Sequence, residues 1–177
     1  TPENLTGTKT FQKAKTRIYN TDGMPVYVDI PTEYGKTWLK DLVAGDAFIC
    51  LELDQELTTV DEWITWLERI CQEKFPEMKM TALRKIAAEQ KLTPVIRRYL
   101  LTEMVSCLTK QAGEGGLLSI SGISYLQSKS VLFFVWNFVK NLAEKMRVVI
   151  WEDTGEWEHL YRSERNEISD GRIVRIT

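Results

Sequence analysis

The sequence predicts an α+β domain, with an antiparallel sheet laid on a helical layer, and three observations lead there. Strand-like runs gather at the two ends of the chain, helical periodicities gather between them, and one helix in the second half is apolar on nearly every side. A doubly wound parallel sheet is disfavoured, because strand and helix signals do not alternate regularly.

Residues 1–10 are polar and are expected to form a flexible tail. Phe11 to Tyr19 then alternates in side-chain character, Thr21-Asp22-Gly23 offers a turn, and Val26 to Ile30 resumes the alternation, which is the pattern of a β-hairpin. Tyr34, Trp38, Leu39 and Leu42 space as a short helix closed by Gly45, and Ala47 to Leu53 reads as a buried strand. Thr59-x-x-Glu62 is a capping box, opening a helix with Val60, Trp63, Ile64, Leu67, Ile70 and Cys71 on one stripe. Leu83 to Gln90 makes a second short helix. Thr93-Pro94 starts a third, which runs toward Gly113. The glycine-rich break at 113–116 is the candidate domain boundary in a chain that otherwise reads as one domain over 1–177.

Beyond Leu117 to Ile120, Ser124 is expected to cap a long helix reaching to about residue 145. Its centre, Val131 to Val139, is apolar all round and therefore belongs inside the protein or against a partner. Arg147 to Glu152, a turn at Asp153-Thr154-Gly155, Trp157 to Tyr161 and Arg172 to Ile176 supply the remaining strands of the expected antiparallel sheet.

Composition narrows the chemistry. The 177 residues carry a net charge of −2, so no global field draws in polyanions and any such site must be local. One histidine and three scattered cysteines leave little for metal or nucleophilic catalysis, and no CxxC pair occurs. An odd cysteine count suits a reducing compartment, which makes a cytoplasmic location the expectation. The sequence shows no signal peptide and no apolar run of membrane-spanning length, and a first residue other than methionine is what a fragment or a processed product would have.

The leading functional expectation is a non-enzymatic interaction domain that binds a protein partner or self-associates, without a cofactor. Its candidate anchor is Trp66, off the apolar stripe of its helix and so expected to stand partly exposed. A second reading is nucleic-acid binding. On a strand, Phe11, Lys13, Lys15, Arg17 and Tyr19 would share one face, interleaving rings that stack on bases with cations that meet phosphates. A further basic segment lies between Lys79 and Arg98. The enzyme reading is a metal-dependent phosphodiester hydrolase, in which Glu52 and Asp54 join Glu152 and Asp153, near Glu156, Glu158 and His159, as oxygen ligands of a divalent cation. Gly35-Lys36-Thr37 matches the end of a phosphate-binding loop. The pattern asks for glycine at the position of Ile30, and no glycine-rich stretch precedes the lysine, so the sequence match fails.

Overall fold

The computed structural model describes residues 8–20, 22–31, 38, 48–74, 93–113, 116–153 and 173–176, and it joins their strands into one sheet in which every pairing is parallel. The strands are β1 (Val26–Ile30), β2 (Phe48–Glu52), β3 (Leu117–Ser121), β4 (Arg147–Asp153) and β5 (Ile173–Arg175), in the spatial order β2-β3-β4-β1-β5. The helices are α1 (Lys9–Tyr19), α2 (Val60–Lys74), α3 (Pro94–Ala112) and α4 (Lys129–Ala143). The expected antiparallel α+β sheet is therefore corrected to a parallel α/β sheet covered on both faces. The reason is legible in β1, β3 and β4: VYVDI, LLSIS and VVIW are almost continuously apolar, as strands buried on both sides must be, where a half-exposed antiparallel strand would alternate.

The largest correction lies at the N-terminus, where the predicted first hairpin strand is helix α1. Thr8 caps it by accepting a hydrogen bond from the Phe11 amide at 3.2 Å, and Phe11, Ala14 and Ile18 form its buried stripe. Their spacing of three and four residues is helical, and it wins over the polar alternation seen from Lys13 to Arg17. Residues 8–10 belong to this cap and helix; residues 1–7 lie outside the described residues. So do Leu83 to Gln90, Trp157 to Tyr161 and most of the segment from Tyr34 to Gly45, of which Trp38 alone is described, as helical and fully buried.

Two apolar clusters sandwich the sheet. On one face α2, α3 and α4 pack over Tyr27, Ile49, Leu51, Leu118, Ile120, Val148 and Ile150, with Trp63 edge-on to Phe138 at 5.3 Å and Tyr27 edge-on to Trp136 at 5.6 Å. On the other, Phe11, Ala14 and Ile18 of α1, with Trp38, cover Val26, Val28, Ile30, Val149, Trp151 and Val174. The helix expected to be apolar all round is α4. It buries Val131, Leu132, Phe134, Val135, Trp136, Phe138 and Val139, leaves Phe133 at 43% exposure, and is capped by Ser128 where Ser124 was expected. Ser124 sits instead in the short 3₁₀ turn Ile123–Tyr125.

Connectivity makes the carboxyl edge of the sheet functionally interesting. From β2 through β3 to β4 the chain steps toward β1 with its helices on the α4 face, whereas from β1 it travels to the far edge, and Trp38 in that connection packs on the α1 face. Opposite directions on opposite faces are what right-handed crossovers require. Strand order thus reverses between β4 and β1, and ligands of open α/β sheets bind outside the carboxyl ends of the strands at such a reversal.

Candidate functional site at the carboxyl edge

Apolar runs ending in an acid bring carboxylates to this edge: VYVDI puts Asp29 near the end of β1, FICLE puts Glu52 at the end of β2, and VVIWED puts Glu152 near the end of β4. Asp29 and Glu152 are register partners, and by the alternation of their strands both side chains face the α4 side, at 7% and 5% exposure. Glu152 Oε1 accepts a hydrogen bond from the Ile123 amide, which ties the end of β4 to the loop after β3. Burying a carboxylate is tolerable when backbone N–H groups solvate it, so this bond fixes the loop as much as it satisfies the acid.

That loop is pinned from a second side. Beyond the sheet, the tail of β2 and the tail of β3 continue as a parallel pair: the Leu53 amide donates to Ser121 O at 2.9 Å, the Leu57 amide to Tyr125 O at 2.9 Å and the Gln127 amide to Leu57 O at 2.8 Å, while the Ser128 hydroxyl donates to Thr58 O. Gly122 makes the approach possible. Its φ is +82°, and a Cβ there would stand 2.5 Å from Leu53 O. The resulting cavity, about 300 Å³, is lined by Glu52, Leu53, Ser121, Gly122, Ser124, Tyr125, Trp151 and Glu152, with Tyr125 at 40% exposure on its rim. On the α1 side of the sheet, Ser119 Oγ donates to Cys50 Sγ at 3.4 Å and Cys50 Sγ donates to Glu52 Oε1 at 3.3 Å, a polar thread running out to the cavity.

Of the four candidate metal ligands, Glu52 and Glu152 both reach this cavity. By the alternation of their strands Glu52 starts from the α1 side and Glu152 from the α4 side, and both line the cavity at the edge of the sheet. Asp54 is exposed, accepting from Trp66 Nε1 at 3.1 Å and lying 3.8 Å from Arg69. Among the described residues no group of three or more histidine, cysteine or acidic side chains could hold a metal ion. Glu156, Glu158 and His159 lie outside them, as does the side chain of Asp153.

Trp66 is placed in the core, at 2% exposure, against the expectation that it stands partly exposed. It meets Trp63 edge-on at 5.7 Å, because α2 is covered by α4 and by the tail of β2 together, a wider arc than its apolar stripe announced. The strand face proposed for nucleic acid is corrected as well. On helix α1, Phe11 is buried and Tyr19 half-buried beneath the Arg147 guanidinium, 5.0 Å from the ring centroid, so neither offers a free stacking face; Lys13 and Lys15 are exposed but point about 200° apart around the axis.

Sequence reading overlooked Asp29, Ser121, Gly122 and Tyr125. The signal available was the acid closing each apolar run, which becomes a shared edge once the strands are known to be parallel. A scan against protein-family models finds no match, and a search of curated proteins finds no similar sequence.

Proposed function

We propose that the protein binds a nucleotide through its phosphates at the carboxyl edge of the sheet, beside β1. The observation that carries this reading is the placing of β1. It ends at Ile30, flanked by β4 and β5 and at the reversal of strand order, and Trp38, eight residues on in sequence, is helical and packed edge-on to Trp151 at 6.1 Å near the end of β4. Gly35-Lys36-Thr37 immediately precedes Trp38 in sequence. Strand, then glycine-lysine-threonine, then helix is the context in which a lysine ammonium meets the β and γ phosphates and a threonine hydroxyl meets the accompanying magnesium. The tripeptide lies outside the described residues, and the support comes from what flanks it. The departure at the first glycine stands: Ile30 is the last residue of β1 and fully buried, so the reading rests on the sequence Gly35-Lys36-Thr37 together with the placing of β1 and Trp38.

The neighbouring cavity suits the other half of such a ligand. Its carboxylates and hydroxyls would repel phosphate but hydrogen-bond sugar hydroxyls, and the half-exposed ring of Tyr125 offers a stacking face. Trp38 and Trp151 provide a reporter, so titration of magnesium-ATP, magnesium-GTP and pyrophosphate should change tryptophan fluorescence saturably, with calorimetry giving the affinity. Lys36→Ala should weaken binding by at least about tenfold, the loss of one charge-assisted contact. Failure of all three compounds to bind at millimolar concentration, or equal binding by a folded Lys36→Ala protein, would sink the proposal.

The protein-interaction reading keeps no named anchor now that Trp66 is core. Large apolar side chains exposed among the described residues are Val95, Tyr99, Tyr125 and Phe133, which belong to α3, the loop after β3 and α4. No described helix is long and apolar enough to cross a membrane.

A further inference from the structure

We draw no further inference here: the strongest candidate, the cavity at the carboxyl ends of β2, β3 and β4 lined by Glu52, Ser121, Tyr125 and Glu152, belongs to the site already described.

Discussion

The two faces of the sheet were built by different rules. The α4 face is covered by three helices whose side chains interlock through Trp63, Trp66, Trp136 and Phe138, while the α1 face is covered, among the described residues, by one eleven-residue helix and Trp38. The first cluster is wide enough to bury rings on the outer layer as well as the inner one; the second buries one stripe and leaves a charged exterior. A thick layer absorbs its aromatics into the core, so aromatic content there says little about partners, whereas a thin layer must display whatever its second side carries.

The largest expected effect breaks the reading of α2 as an interface helix. Trp66→Ala should destabilise the protein by about 3–5 kcal/mol, as removal of a buried ring does, whereas Tyr99→Ala on α3, at 50% exposure, should change stability by less than about 0.5 kcal/mol. Urea unfolding of both proteins compares them directly. Equal, small effects would mean that the outer layer of the α4 face is not a core. Next comes Gly122→Ala, for which left-handed backbone and close approach to Leu53 act together, giving a loss of about 2–4 kcal/mol and slackening of the loop held by Glu152. Gly113→Ala, at φ +72° with open space around it, should cost about 1 kcal/mol, which isolates the backbone contribution from the steric one.

How much could be read in advance divides along the same line. On the α4 side the signals were local and mutually consistent: the Thr59 box is formed, with the Glu62 amide donating to Thr59 Oγ1 at 3.1 Å, Pro94 opens α3, and the apolar centre of α4 is buried. The strands at Phe48–Glu52 and Arg147–Asp153 also fall where the apolar runs place them. What failed was direction, because whether two strands run parallel is decided by where their connections go, a long-range property. Asp29 and Glu152 sit 123 positions apart in sequence yet share a register pair, and no local pattern announces that. On the α1 side, one short segment satisfied two periodicities at once. Lys13, Lys15 and Arg17 fit a period of two while Phe11, Ala14 and Ile18 fit the helical one, and burial of the apolar set decided the contest.

That contest can be rerun by mutation. Ala14 is fully buried, and on a helix it shares its face with Phe11 and Ile18, so Ala14→Leu should overpack the α1 cluster and cost about 1–3 kcal/mol. On a strand it would point away from Phe11, and the larger side chain would be harmless. Smaller again is the capping box of α2. Thr59→Ala removes the acceptor for the Glu62 amide and should cost about 1 kcal/mol, with Thr59→Ser largely restoring it.

The smallest effect concerns the rim of the α4 face, where Cys107 on α3 is half-buried against the core. Burial raises its thiol pKa above the ordinary 9.0, the Glu103 carboxylate pushes the same way, and Lys110 opposes both. The sign follows from which form each influence disfavours. Burial and a neighbouring anion both penalise thiolate, so the folded pKa exceeds the unfolded one, and the associated stability is present below the unfolded pKa and fades as pH rises through the folded value. Alkylation should therefore be slower for Cys107 in the folded protein than in urea at pH 8, and Glu103→Gln should speed it, because one of the two influences holding the proton is gone. Mass spectrometry of the peptide containing Cys107 after timed iodoacetamide exposure reads both effects. A rate unchanged by Glu103→Gln would leave burial as the sole cause and extend the thick packing of the α4 face to the outer edge of α3.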